Sequence, residues 1–213
     1  MLKFRLFGIP VLIEWWFWLS AILLGGGMNA QGPEDWKKVA LWSVIMFLSV
    51  LAHELGHALA GMKFGVRPVI KLHGFGGLTF LTGANFSRMQ SIVVSAAGPA
   101  VSLLLGFAVL LTASFIQHPS RMARIAIGDA LYINFFWTCL NLLPIQPMDG
   151  GQILREVLGP KRRRATALIG GALAAGLCIL SLKWGQIYLA FMLALFAYHN
   201  FRQDQVEGGV VKD

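Results

Sequence analysis

Residues 53–57 read His-Glu-Leu-Gly-His and lie within an apolar run. Fourteen uncharged residues, 39–52, precede this motif, and the apolar residues 58–62 follow it. A run of this length predicts a membrane-spanning helix. Side chains four positions apart share one face of a helix, so His53 and His57 can bind one divalent metal ion through their imidazoles. Glu54 lies beside that face and is available as a general base.

The same five residues have a second interpretation. In a soluble helix, two histidines and a glutamate can form an exposed polar face or a hydrogen-bonded core cluster. In hydrocarbon the same side chains are costly, and polar groups there usually serve a function. The apolar surroundings therefore favour a metal site over a structural cluster.

The composition predicts an all-α polytopic membrane protein. The chain has 213 residues, of which 56% are hydrophobic and 13% charged, and its mean hydropathy is +0.65. A net charge of +8 would suggest nucleic acid as the partner of a soluble protein. In a membrane protein it instead indicates basic loops that touch anionic lipid, so we expect the lipid bilayer and no nucleic acid as a partner.

About six transmembrane helices are predicted within a single domain of residues 1–213. Their approximate bounds are 9–24, 39–62, 92–116, 125–143, 165–182 and 184–201. Glu14, near the start of the first span, is expected to reach toward the lipid headgroups, with the functional site as the alternative.

A short membrane-associated β-hairpin is predicted after the second span, where two apolar stretches flank glycines in residues 69–81. The edge of such a hairpin near Gly76 and Gly77 can pair with an extended substrate. A surface loop without a partner is the alternative. His73 in this segment is a further possible metal ligand.

Residues 141–151 predict a break in the helical structure at the end of the fourth span. The segment reads Asn-Leu-Leu-Pro-Ile-Gln-Pro-Met-Asp-Gly-Gly, and its two prolines prevent a regular helix. Asp149 then projects from the break, either toward a site or as the cap of the helix that follows.

The distribution of basic residues predicts that both termini are cytoplasmic, because 13 of the 18 Lys and Arg residues then lie on that side. This topology brings the ends of the second and fourth spans to one depth. Asp149 is therefore the best candidate for a third ligand, whereas Asp129 lies toward the opposite surface. Two histidines and one carboxylate are a ligand set typical of catalytic zinc.

The paired motifs HELGH and NLLPIQPMDG resemble those of the site-2 proteases, zinc metalloproteases that act inside membranes. The resemblance extends to Ala97-Gly98-Pro99 and to the six-span plan. It implies one Zn²⁺ per chain on His53, His57 and Asp149, catalysis by Glu54, and a supporting role for Asn141 toward the substrate or the site.

The family implies a function as well. We expect hydrolysis of peptide bonds within or near transmembrane segments of membrane proteins, in the cell membrane. Many relatives carry a PDZ or nucleotide-sensing domain, and the chain is expected to be a minimal form without either. An unidentified regulatory protein is then a possible partner.

Two other functions remain open. A non-catalytic membrane protein could use the same cluster to bind or transport divalent metal ions. A silent protease homologue could bind membrane helices without cleaving them. Formation of a cleavage product distinguishes a protease from both.

Overall fold

The computed structural model describes residues 1–209, with side chains through residue 202. It is mostly helical, with one small sheet. The described residues form two compact units, residues 1–85 with 97–139 and residues 86–96 with the chain from 140 onward. The strands are β1 (Leu2–Leu6), β2 (Ile9–Ile13), β3 (Val69–His73) and β4 (Gly76–Phe80). The helices are α1 (Trp15–Leu24), α2 (Pro33–Lys63), α3 (Arg88–Ser114), α4 (Arg121–Leu131), α5 (Thr138–Asn141), α6 (Asp149–Leu158), α7 (Arg163–Lys183) and α8 (Ile187–Gly209).

The N-terminal segment corrects the first predicted span, because residues 9–13 form strand β2 rather than helix. Ile9, Val11 and Ile13 are buried on one face, the period of two that a strand requires. Phe7 and Gly8 both have positive φ and make the tight turn that pairs β1 with β2. The helix that remains, α1, has ten residues and rises only about 15 Å.

The sheet confirms the predicted hairpin and enlarges it. β3 and β4 pair antiparallel, with His73 opposite Gly76 at the turn. β2 pairs in parallel with β3, so the strand order is β1-β2-β3-β4. Within the described chain β4 is therefore an edge strand, and its apolar sheet neighbours Ile70 and Leu72 are fully buried.

Helix α2 is the longest element of the first unit. Pro33 occupies its first turn with Glu34 and Asp35, and Lys63 lies in its last turn, which is the charge order that a helix dipole favours. Its 31 residues rise roughly 46 Å, more than the hydrocarbon thickness of a bilayer.

In the second unit, α7 and α8 pack against each other along their lengths. Gly171 on α7 lies against the Phe201 ring, where a Cβ would meet ring carbons at 2.7–2.9 Å. The short connection between Lys183 and Ile187 agrees with the predicted helix pair.

Three helices of the described chain are long and apolar enough to cross a membrane: Pro33–Lys63, Arg88–Ser114 and Pro160–Lys183, where a 3₁₀ turn at 160–162 leads into α7. They correspond to the second, third and fifth predicted spans. The fourth falls on α4 and α5, joined by a π-helical turn at Tyr132–Trp137. The chain is thus a membrane protein with at least these candidate spans, and the total of six stays a prediction.

Candidate metal centre

Helix α2 places the two motif histidines on one buried face, as the four-residue spacing predicts. Their Nε2 atoms lie 3.1 Å apart, and both side chains are buried. His53 Nδ1 lies 3.0 Å from the Oγ of Ser102, a buried residue of α3. This contact fixes the imidazole plane and directs Nε2 toward His57, the arrangement that orients a metal-binding histidine.

Two glycines allow α3 to approach this face closely. A Cβ on Gly56, inside the motif, would lie 2.6 Å from the Ala97 carbonyl oxygen. A Cβ on Gly98 would overlap His57 Nε2 and lie 2.8 Å from His53 Nε2. The absence of both side chains leaves room around the imidazole nitrogens, so the Ala97-Gly98-Pro99 segment is a steric requirement of the site.

Asp149 is the first residue of α6 and is buried. Asn141 Nδ2 donates a hydrogen bond of 3.0 Å to its Oδ2 atom. The cap residue of α6 is Met148, so Asp149 is not the cap that the alternative interpretation expected. Asn141 thus acts on the carboxylate directly, which favours support of the site over contact with a substrate.

His53 and His57 of the first unit and Asp149 of the second unit each offer a ligand atom on a buried side chain, and we refer to these three candidate ligands as the metal group. Two nitrogen ligands of a tetrahedral zinc ion, each about 2.05 Å from it, stand roughly 3.3 Å apart. The two Nε2 atoms, at 3.1 Å, fit that spacing. Imidazole and carboxylate are also the donors that catalytic zinc uses, so the group fits one zinc ion.

Glu54 is buried beside the histidines and is held by strand β4. Thr79 Oγ1 lies 2.7 Å from Glu54 Oε2 and 3.1 Å from the Glu54 main-chain oxygen, and its hydroxyl proton can be donated to either. A Cβ on Gly77 would overlap the Glu54 carboxylate. Gly77 and Thr79 lie on one face of the strand, and together they fix the position of the carboxylate.

The loop before Asp149 is held by Asn200 of α8, which is fully buried. Asn200 Oδ1 accepts from the Gln146 main-chain N–H at 3.3 Å, and its Nδ2 donates to the Gln146 and Phe196 carbonyls at 2.7 Å each. A Cβ on Gly170 would lie 2.5 Å from Asn200 Oδ1, so α7 has a glycine where the amide needs room.

Two further polar residues have structural contacts instead of a place in the metal group. Glu14 pairs with Lys71 of β3 at 2.7 Å, and its predicted reach toward the headgroups stays a prediction. His73 Nδ1 accepts from the Phe75 N–H at 3.3 Å across the hairpin turn. Burial lowers the pKa of His73, while the nearby Glu14 carboxylate opposes that shift. His73 therefore belongs to the sheet.

Sequence reasoning missed Ser102, Thr79 and Asn200, although each leaves a signal. Ser102 follows Gly98 by four residues, so both lie on one face of α3. Thr79 follows Gly77 by two residues on the strand. Asn200 is an amide near the end of an apolar helix. Only the tertiary contacts reveal which of these polar groups supports the site.

Two family models match the chain. The model described as peptidase M50B-like matches residues 34–146, and the model described as peptidase family M50 matches residues 118–182. The first match alone spans more than half of the chain and includes the histidine motif, and the second includes Asp149.

Known proteins agree with the family models. A putative zinc metalloprotease of Synechocystis is 33% identical to this chain over 162 residues. The match covers 72% of this chain and 42% of the length of the relative. A zinc metalloprotease of Methanocaldococcus jannaschii is 28% identical over 94% of this chain and 59% of its own, so the chain spans about half the length of these relatives. The solved site-2 protease from Methanocaldococcus jannaschii has a TM-score of 0.64 and 27% identity, and the match covers 95% of this chain and 94% of that one. The fold is that of a site-2 protease, and the chain belongs to peptidase family M50.

Proposed function

We propose that this chain is an intramembrane zinc metalloprotease that hydrolyses peptide bonds within or near transmembrane segments of membrane proteins. The observation that carries the proposal is the pair of buried His53 and His57 imidazoles, whose Nε2 atoms lie 3.1 Å apart, on an α2 helix that also holds the buried Glu54 carboxylate. The metalloprotease relatives support the same reaction class.

His53, His57 and Asp149 hold the metal in this proposal, one ion per chain. When bound, zinc supplies Lewis acidity, which lowers the pKa of water and polarises a peptide carbonyl. The chain's own contribution to this site is orientation. Ser102 fixes the His53 ring, Asn141 fixes the Asp149 carboxylate, and Gly98 leaves the space around the imidazoles.

Glu54 is the general base. Its carboxylate accepts a proton from the attacking water and then gives that proton to the leaving amine of the cleaved bond. Because Thr79 holds Oε2, the other oxygen, Oε1, is the one that we assign to proton transfer. Burial beside β4 keeps the carboxylate in one position, which lowers the cost of aligning it with the substrate.

A helical substrate must unwind before its carbonyls can react, since they are hydrogen-bonded within the helix. We assign the unwound segment to the edge of β4, where Gly76 and Gly77 let another backbone approach closely. Gly76 has a φ of +123°, a backbone conformation that residues with a side chain rarely adopt. Gly77 lies against the Glu54 carboxylate. Pairing with this strand would place an extended substrate next to the base.

We further propose a multi-pass arrangement in the cell membrane with both termini cytoplasmic. Strand β2 and the short helix α1 together would make the first crossing. The 13 basic residues on the inner side support this orientation. The partners in this scheme are a membrane-protein substrate and the lipid bilayer, with an unidentified regulatory protein as a possible addition.

The test is cleavage of single-span model substrates by the purified protein in liposomes, with the metal content measured on the same samples. Glu54→Gln is expected to keep zinc and lower the cleavage rate at least about 1,000-fold, since it removes the base. Glu34→Gln makes the same change on the exposed first turn of α2 and should leave the rate unchanged.

Cleavage that requires zinc and is lost only in Glu54→Gln would support the protease. Bound zinc without product from any substrate would favour a metal-binding or silent role, and retained cleavage in Glu54→Gln would contradict the assignment of the base.

A further inference from the structure

An open cavity of about 550 Å³ with a mixed polar and apolar lining lies within the first unit, beside a part of α2 that is distant from His53. Helices α1, α2 and α4 line it, and it is open on one side. The lining residues are Leu24, Gly25, Lys38, Trp42, Arg121, Arg124, Ile125 and Asp129. Three cations and one carboxylate therefore face one space, and the reaction proposed above uses none of them.

The cations of this cavity are only partly neutralised. Lys38 pairs with Asp35 at 2.8 Å, and Arg124 donates to the Pro119 carbonyl at 2.8 Å. Arg121 makes no side-chain hydrogen bond or ion pair with any residue that the structure describes. Arg121 is also the first residue of α4, whose first turn has no acidic residue. A positive charge at that helix end is unfavourable unless an anion lies nearby. The Glu34 and Asp35 carboxylates of α2 are within electrostatic reach of Arg121, but they already pair with Lys37 and Lys38.

Two other polar groups of the cavity lack partners among the described residues. The indole N–H of Trp42 is buried and makes no hydrogen bond. The Asp129 carboxylate, which is only partly exposed, makes no ion pair or side-chain hydrogen bond. Buried donors without partners are rare in native proteins, so an unpaired N–H beside unpaired charges indicates a polar ligand.

The depth of the cavity indicates where such a ligand would come from. Lys38 lies five residues after the start of α2, whereas His53 lies fifteen residues further on, roughly 22 Å along the helix. Trp36, in the first turn of α2, is half exposed, as aromatic residues at a membrane interface are. The cavity therefore lies at the level of the lipid headgroups, at the end of α2 opposite His53 and His57.

We propose that this cavity binds the headgroup of an aminophospholipid, whose phosphate contacts Arg121 and Lys38 and whose primary ammonium contacts Asp129. Phosphate is the ligand that Arg and Lys clusters recognise through charged hydrogen bonds. A phosphate alone would leave the carboxylate unpaired beside an anion. A headgroup with both charges satisfies the cations and Asp129 together.

The experiment is lipid binding to the purified full-length protein, measured by native mass spectrometry and by the lipid-dependent shift in Tm. The probes are phosphatidylethanolamine, phosphatidylglycerol and phosphatidylcholine with identical acyl chains, and inorganic phosphate. The variants are Arg121→Gln, Arg124→Gln and Asp129→Asn. The matched control is Arg162→Gln, an exposed basic residue that does not line the cavity.

We expect phosphatidylethanolamine to bind wild-type protein at least fivefold more tightly than phosphatidylcholine. Arg121→Gln should lose at least fivefold in affinity for phosphatidylethanolamine and phosphatidylglycerol, with a smaller loss for Arg124→Gln. Asp129→Asn should abolish this preference for phosphatidylethanolamine over phosphatidylcholine, because it removes the carboxylate that pairs with the primary ammonium. The Arg162→Gln control should bind like wild type.

Equal lipid binding by wild type and both arginine variants would overturn the site, and so would an equal loss in the control. If Asp129→Asn keeps the preference for phosphatidylethanolamine, the assignment of an aminophospholipid as the ligand is wrong. If inorganic phosphate shifts Tm as much as lipid does, the cavity binds a free anion and the lipid proposal is wrong.

Discussion

Glu54 and Asp149 are the two carboxylates of the proposed chemistry, and the fold holds them in different ways. Glu54 lies within a 31-residue helix, so the regular backbone of α2 sets its position and Thr79 adjusts only the carboxylate. Asp149 begins a ten-residue helix after an irregular loop. Its position depends on Asn141 and on the bonds that Asn200 makes to Gln146.

This difference indicates which substitutions should displace Glu54 and which should displace Asp149. A helix keeps its geometry through its own hydrogen bonds, so loss of one neighbour moves Glu54 little. A loop containing two prolines lacks such a ladder, and its unpaired main-chain groups need partners from other elements. Substitutions should therefore impair metal binding through the loop more than they impair the base through the strand.

Asp149→Asn should have the largest effect on the proposed metal site. The substitution keeps the side-chain shape but removes the negative charge that a divalent ion requires. We expect zinc affinity to fall by more than about 100-fold, beyond the 10–100-fold typical of residues that only support a ligand. Zinc titration with a competing chelator measures it.

Glu156→Gln on the same helix is the matched control for this prediction, because the side chain of Glu156 makes only a loose contact of 3.6 Å with Arg155. Zinc affinity equal to wild type in Asp149→Asn would point to a different third ligand.

Asn200→Leu should have the next largest effect, through the loop. Leu has a similar size but leaves the Gln146 N–H and carbonyl without partners. Unsatisfied buried polar groups cost about 1–3 kcal/mol each. We expect a lower Tm and zinc affinity reduced about tenfold in the protein that remains folded, measured by thermal denaturation and by the same titration.

His199→Ala changes the exposed neighbour of Asn200 and serves as the control, with zinc affinity expected to match wild type. If Asn200→Leu binds zinc as tightly as wild type while its Tm falls, the amide stabilises the helices without positioning the loop.

The sequence predicted the elements whose signal is local. The spacing of His53 and His57 identifies a shared helix face, and the glycines after β3 predict the hairpin, because both patterns depend on residues close in the chain. The first span was mispredicted between Ile9 and Ile13, since a short apolar run does not distinguish strand from helix. The parallel pairing of β2 with β3 joins segments almost sixty residues apart and leaves no local pattern.

The supporting residues were missed for a related reason. Ser102, Thr79 and Asn200 are ordinary residue types, and only their distances to His53, Glu54 and Gln146 give them a role. Asp149, by contrast, was identified as a candidate because the proline-rich break and the charge-based topology limited the alternatives. Its assignment as a ligand stays a prediction that the zinc titration tests.

Thr79→Val should have the smallest effect. It tests how far the position of the Glu54 carboxylate depends on strand β4. Val is β-branched like Thr, so strand β4 is preserved while the hydroxyl that holds Glu54 Oε2 is lost. A hydrogen bond to a charged group contributes about 1.5–3 kcal/mol, but α2 keeps the base nearly in place, so we expect kcat to fall only about tenfold. Zinc content should be unchanged, since no metal-group residue is altered.

Thr79→Ser restores the hydroxyl and should return kcat to within about twofold of wild type, because a loss of one methyl group on a partly buried strand is small. A common substrate assay with zinc measured on each sample compares the three proteins. If Thr79→Ser and Thr79→Val lower kcat equally, the effect comes from the lost packing and not from the lost hydrogen bond. Strand β4 then acts on Glu54 by packing. Thr79→Val could instead lower zinc affinity as much as Asn200→Leu does. In that case α2 does not isolate Glu54 from its neighbours, and the proposed difference between how Glu54 and Asp149 are held is wrong.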